Sequence, residues 1–314
     1  MNEVQKSPFL GLWFLGVTLI LLLALLPNGY FLDIAIRMAI NAIIIIMLNL
    51  LIGFAGQISL GHAAFFGIGA YSSAILPAHF GWPSALALVF GALFSGVLAL
   101  ILARLIFRFK GHYLAMVTLG LGIIVSVILT NETAWTGGPD GMAVQDLDLL
   151  GHKLPGDRSW LGLTGFLLIL CVWGTINLME SPFGRALRAL HGSETAAAAA
   201  GVDLARYKMA VFALSAVPTS IMGSLTAHYV GFVTPNLAGF THSIEMLTMV
   251  VLGGMASIYG SVLGAVLLTA LPQLLATLDG WETVALGAIL VITMIFLPKG
   301  IVPTLTVYLG KHSR

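Results

Sequence analysis

Long apolar runs separated by short polar interruptions fill the chain from one end to the other, and their lengths set the first expectation. A helix needs about 20 apolar residues to cross a hydrocarbon layer of about 30 Å. Ten segments meet or approach that length: 9–26, 33–55, 58–77, 84–106, 112–130, 161–179, 209–230, 242–257, 259–276 and 283–298. Glycines interrupt the third, eighth and ninth. The expected fold is an all-α polytopic membrane protein of about ten transmembrane or membrane-embedded helices, forming one domain over residues 1–314. The first run follows Lys6, as a secretory signal would. It is nevertheless 18 residues long and ends in Pro27-Asn28-Gly29-Tyr30 without a small-x-small cleavage pattern, so it reads as a retained helix.

Composition narrows the class. Hydrophobic residues make up 59% and charged residues 9%, with a mean hydropathy of +1.01. Soluble domains carry roughly a quarter charged residues, so a charged surface cannot be built from this chain. The net charge of +1 supplies no field for nucleic acid. The single Cys171 excludes an internal disulfide and a cysteine-rich metal site. Histidines are scattered without metal-ligand spacing, no nucleophile–base pair stands out, and no G-x-x-x-x-G-K-[ST] motif occurs. No enzyme and no bound cofactor or metal are expected. Energy for uphill movement of a solute would come from a partner or an ion gradient.

Orientation follows from the basic residues, which concentrate on the cytoplasmic side. With the N-terminus inside, the cytoplasmic segments hold Lys6, Arg104, Arg108, Lys110, Arg185, Arg188, Arg206, Lys208, Lys299, Lys311 and Arg314, most of the 14 Lys and Arg residues. An even number of spans then places both termini in the cytoplasm. Two loops exceed a minimal connection: an acidic, Gly- and Pro-rich outer loop over 131–160 and a basic inner loop over 180–208. In the outer loop Thr136-Gly137-Gly138-Pro139-Asp140-Gly141 predicts a tight turn, and His152, Lys153, Asp157 and Arg158 read as solvated.

The inner loop carries its own helix signals. Ser193 is a good N-cap, Glu194 suits the positive end of a helix dipole, and Gly201 is a natural stop, with five alanines between. Arg185 and Arg188 would share a face on a continuing helix. Such a segment either links two spans and fixes topology, or offers a small-residue surface that another protein can approach closely.

Polar groups inside the spans are few. Gly53, Gly56, Gly61, Gly67 and Gly69 surround Gln57, Ser59 and His62, and small residues at this density permit both close packing and broken helices. Gln57 and His62 face the protein interior or an aqueous pathway, where they either touch solute or brace the bundle. Glu245 is the one acidic residue placed inside the bilayer, near the outer end of its span. Asn41 and Asn49 share a face of the second span and are expected to bond neighbouring helices. Gly253-Gly254-Met255-Ala256-Ser257-Ile258-Tyr259-Gly260 breaks the run 242–276 and loosely echoes 53–70, as an inverted repeat would explain.

Four stretches together resemble a known family. Gly184-Arg185-Ala186, then Glu194 through Gly201, then Tyr207-Lys208 resembles the coupling loop (the EAA region) of ABC-importer permeases, and specifically of LivM-type branched-chain amino acid permeases. Asn49-Leu50-Leu51-Ile52-Gly53-Phe54-Ala55-Gly56-Gln57-Ile58-Ser59-Leu60-Gly61-His62, continuing to Gly67-x-Gly69-Ala70-Tyr71, resembles that family's most recognisable stretch. Residues 136–141 resemble its outer-loop signature, and Val250-Val251-Leu252-Gly253-Gly254-Met255-Ala256-Ser257 its penultimate motif. Four motifs in order, with compatible spacing and topology, say more than any one of them.

The resemblance implies a multi-pass permease of the bacterial inner membrane, in contact with lipid. It implies a second, LivH-type permease as partner, two ATPase subunits (LivG- and LivF-type) that bind ATP and Mg, and a periplasmic substrate-binding protein. On it, Arg185, Arg188, Ser193, Glu194, Ala197 and Gly201 would couple to the ATPases. Gln57, Ser59, His62 and Glu245 would line the pathway, and Gly137, Gly138 and Asp140 would dock the binding protein. One departure touches the substrate: where the family often carries Glu and Arg three residues apart, this chain has Ile123 and Ser126. A urea or short-amide permease shares much of the pattern. A secondary amino acid transporter would need intramembrane ion sites beyond Glu245, and a passive channel would need no docking helix.

Overall fold

A computed structural model describes residues 8–26, 29–106, 112–149, 152–275, 284, 287, 288, 291, 295 and 300–304. Its elements begin with α1 (Pro8–Leu25), α2 (Gly29–Asn49), a π turn at Leu50–Phe54, α3 (His62–Phe80), α4 (Ser84–Ile106), α5 (His112–Asn131) and α6 (Thr133–Thr136). A 3-10 turn at Gly138–Asp140 leads into β1 (Met142–Ala143), β2 (Asp148–Leu149) and β3 (His152–Lys153). Then follow α7 (Gly156–Glu180), α8 (Pro182–Gly192), α9 (Glu194–Ala199), α10 (Leu204–Val230), β4 (Phe232–Val233), a 3-10 turn at Pro235–Ala238, α11 (Phe240–Gly253) and α12 (Ile258–Leu275).

The fold is all-α and polytopic. Among the described residues, six helices are long and apolar enough to cross a membrane: Gly29–Phe54, His62–Phe80, Ser84–Leu105, Leu114–Asn131, Gly156–Glu180 and Leu204–Val230. Shorter apolar helices cover Gly11–Leu25, Phe240–Gly253 and Ile258–Leu274. The expected span 283–298 lies largely outside the described residues, as do both termini and six of the basic residues used for orientation: Lys6, Arg108, Lys110, Lys299, Lys311 and Arg314.

Three starts that differ from expectation do so for a local reason. The third span starts at His62 rather than at residue 58, because Gly56 takes φ +69 and residues 55–61 run on without helix. The sixth starts at Gly156, not 161. Asp157 and Arg158, expected in a solvated loop, form its first turn, where an acidic residue meets the positive end of the dipole. The seventh starts at Leu204 because Asp203 caps it, accepting from the Arg206 amide at 3.2 Å.

The chain divides into two compact units. One comprises Met1–Asn49, Gly156–Ser181 and Thr248–Arg314. In it α12 and α7 pack on α2, and α1 packs on α7. Arg37 pairs with Asp33 one turn earlier at 2.9 Å. Asn41 donates to Thr269 Oγ1 at 2.9 Å, tying α2 to α12.

The other unit comprises Leu50–Pro155 and Pro182–Leu247. Its centre is the contact of α10 with α3 and α4. Small residues set that contact: a side chain on Gly69 of α3 would strike the Ser220 backbone, and one on Gly223 of α10 would strike the Phe66 backbone. Serines stitch the same seam. Ser220 donates to Gly91 O at 3.1 Å, and the Ser73 and Ser224 hydroxyls bond each other. Apolar burial does little to hold helices together in lipid, so close backbone approach and such bonds carry the association.

Candidate functional site

The resemblance placed chemistry at three interruptions of the spans, all inside the second unit. The first is the break after the π turn. The π turn closes on itself through Gln57 N donating to Leu51 O at 3.0 Å, and the chain then runs without helix to Gly61. Leu60 N is held by Thr118 Oγ1 of α5 at 3.0 Å. Ser59 is buried, and its hydroxyl lies 2.9 Å from His62 Nδ1. His62 Nε2 lies 2.9 Å from Ser215 Oγ of α10, and the ring is flanked edge-on by Phe65 and Phe212. Both nitrogens of His62 are therefore engaged, Nε2 tying α3 to α10 and Nδ1 tying it to the break. Gln57 differs: it is 3% exposed, and neither its amide oxygen nor its amide nitrogen has a partner among the described residues. An amide buried without partners costs about 1–3 kcal/mol on mutational scales, so this position gains from any polar group that reaches it.

The second interruption is the inner segment. It folds as two helices: α8, with Gly184, Ala186, Leu187 and Leu190 buried, and α9. Arg185 and Arg188 lie on the exposed side of α8. Ser193 caps α9, accepting from the Ala196 amide at 3.3 Å. The far end closes as the sequence suggests, with Val202 N donating to Ala197 O at 3.0 Å while Gly201 takes φ +82. Two coupling residues point elsewhere than expected. Ala197 is 3% exposed and packs inward, so the free face is Thr195, Ala196 and Ala198–Ala200. Glu194 turns back to Lys208 Nζ, 2.6 Å away. α8 also reaches the break: a side chain on Gly56 would meet His191 Nδ1 of α8 at 2.8 Å.

The third is the outer turn. Thr136 Oγ1 donates to Leu129 O at 2.7 Å and accepts from Gly138 N at 3.1 Å. Gly137, Gly138 and Gly141 all take positive φ, which presents Asp140 on the surface. Beyond it β1 pairs antiparallel with β4, Met142 opposite Val233. Glu245, expected within the bilayer, has a side chain 57% exposed and lies 3.2 Å from His242 Nδ1.

Ser215, Thr118 and His191 were not singled out from sequence as parts of these sites. Lys208 was visible as a cytoplasmic charge and as the end of the coupling-loop stretch, without a role of its own, and the serine and threonine are too common in spans to signal one.

Comparison with known proteins decides the family. The model of the family described as "Branched-chain amino acid transport system / permease component" matches residues 30–298. The chain belongs to that family. It is a multi-pass membrane permease subunit of the ABC-importer type. The high-affinity branched-chain amino acid transport system permease protein LivM of Salmonella typhimurium is 34% identical, over 86% of this chain and 69% of that protein. LivM of Escherichia coli is 33% identical over the same shares. The LivH permease protein of Escherichia coli is 25% identical over 96% of this chain and 97% of its own length. No solved structure matches. The permease thus resembles both members of a LivH/LivM pair, with greater identity to the LivM side.

Proposed function

We propose that this permease is the LivM-type half of an ATP-driven importer of branched-chain or related hydrophobic amino acids in the bacterial inner membrane. A LivH-type permease supplies the other half of the pathway. Two ATPase subunits of LivG and LivF type bind ATP and Mg and hydrolyse the nucleotide, while this chain binds no cofactor and performs no chemistry. A periplasmic binding protein delivers the amino acid to the outer face, where Gly137, Gly138 and Asp140 form part of its seat.

The observation that supports this best, beside the 34% identity to LivM, is the form of α9. It is a six-residue helix closed at both ends, with a free face of alanines and one threonine. Small side chains let a partner's surface come close to the backbone, and the exposed Arg185 and Arg188 of α8 flank it with positive charge. ATP-driven closure of the ATPases then pushes on α9, and the permease pair alternates its exposure.

The test is reconstitution of the permease with its partner permease, ATPases and binding protein in proteoliposomes. ATP-dependent uptake of leucine, isoleucine or valine is expected, competed by one another and not by urea or short amides. Placing a bulky side chain on the free face, as in Ala198→Trp, should abolish both solute-stimulated ATP hydrolysis and uptake. Survival of both would remove α9 from the coupling path. Competition by urea alone would reassign the substrate, and uptake without ATP would overturn the transport class.

A further inference from the structure

We infer that Lys208 is a positioning residue that carries motion of α9 into the transmembrane helix α10 and on to His62. The inference deepens the coupling role proposed for α9 and rests on it.

A six-residue helix with Ala197 as its buried side chain has little apolar surface with which to grip a neighbour. Its side-chain tie to α10 is polar. Lys208 Nζ donates to Glu194 Oε1 at 2.6 Å, the lysine side chain 7% exposed and the glutamate 34%. Glu194 is the first residue of α9, and Lys208 is the fifth of α10. The link spans 14 residues of sequence, across the turn at 200–203.

A buried ammonium held by one carboxylate is weak evidence for stability, because removing both charges is often neutral, whereas removing one is strongly unfavourable. Such a pair is better suited to fixing geometry than to holding the fold. From Lys208 the path inward is continuous. Ser215 lies seven residues on, nearly two turns of helix, and so on the same face. Lys208, Phe212 and Ser215 are all buried. Ser215 Oγ meets His62 Nε2 at 2.9 Å, and His62 Nδ1 meets Ser59 Oγ at 2.9 Å in the break. A displacement of α9 that pulls on Glu194 therefore reaches the break through one rigid helix, with a bond at each end.

The experiment uses the assembled complex in proteoliposomes and reads uptake, ATP hydrolysis and their ratio. The variants are Lys208→Met, Glu194→Gln, the double variant and Lys208→Arg. The double variant leaves no buried unpaired charge and should assemble even where Lys208→Met does not. In it, ATP hydrolysis should persist while uptake per ATP falls about tenfold, as for an ordinary coupling energy between sites. Lys208→Arg should restore the ratio. An assembled double variant with the wild-type ratio would overturn the inference, and so would its failure to assemble, which would make the pair a folding element. Failure of the coupling role itself has a different mark: Ala198→Trp would then leave uptake and hydrolysis intact.

Discussion

Asn49 Nδ2 lies 2.7 Å from Ser261 Oγ and also donates to Gly254 O and Ser257 O, at 3.2 and 3.0 Å, while Asn49 Oδ1 accepts from Ala256 N at 3.0 Å. One amide thus reaches three backbone groups where α11 stops and α12 begins. The chain needs that service because Gly254 takes φ +120 and Ala256 takes φ +58, conformations that no helix supplies. Replacing Asn49 with Leu leaves the Ala256 amide without its acceptor and takes one donor from the Gly254 and Ser257 carbonyls. The expected loss is about 1–3 kcal/mol, the cost of leaving one donor unpaired and losing three further bonds. It should appear as a lower melting temperature of the purified permease, whereas Ser261→Ala, which removes one of the four bonds, should cost about 1 kcal/mol.

The seam between α3 and α10 makes a second, steric prediction. Gly69 abuts the Ser220 backbone and Gly223 the Phe66 backbone, each with no room for a methyl group. Alanine at either position must push two helices apart or shift the Ser73–Ser224 bond, and overpacking of this kind costs about 1–3 kcal/mol. Helix spacing is what changes, so Gly69→Ala and Gly223→Ala should not be additive: the first to be introduced opens the gap for the second. Melting temperatures of the two single variants and the double variant measure this. Full additivity would mean that the two contacts are independent.

Much of this was legible from the chain. The span 84–106 was expected at the residues where α4 stands, because an uninterrupted apolar run with Arg104 at its end has one solution in a membrane. The caps of α9 were legible because Ser193 and Gly201 act on their own neighbours. What escaped were relationships between residues distant in sequence or dependent on backbone conformation. Residues 58–61 are apolar enough to read as helix, yet Gly56 breaks the helix before them. Glu194 looked like a group for a partner's surface, but a lysine 14 residues away takes it up. Ala197 belongs to a run of identical alanines, and only the packing of α9 says which of them faces inward.

Gly201 offers a test of the short helix that packing does not complicate. It takes φ +82, and a side chain there would meet nothing within 4 Å. Any effect of substitution is therefore conformational. Asn tolerates the left-handed region, whereas most other residues lose about 1–2 kcal/mol there. The expected order of ATP-coupled uptake is Gly201, then Gly201→Asn, then Gly201→Val, with unchanged amounts of assembled complex. Equal uptake by the Asn and Val variants would show that the C-terminal closure of α9 does not matter to coupling.

Gln57 in the break and His62 at the head of α3 stand five residues apart and should respond in opposite directions. His62 uses both ring nitrogens and fills space between Phe65 and Phe212. His62→Ala leaves a cavity and two hydroxyls short of a partner, for an expected loss of about 3 kcal/mol. Gln57→Leu instead replaces an amide without a partner among the described residues by an apolar side chain of similar size. The melting temperature should hold or rise, by up to about 1–3 kcal/mol of relieved desolvation. If solute or its water passes that amide during transport, the same variant loses uptake while gaining stability, the trade expected of a group kept for function and not for packing. Unchanged uptake and amino acid preference in Gln57→Leu would take it off the pathway. A lower melting temperature would mean that its amide is partnered after all, in the full complex or through water.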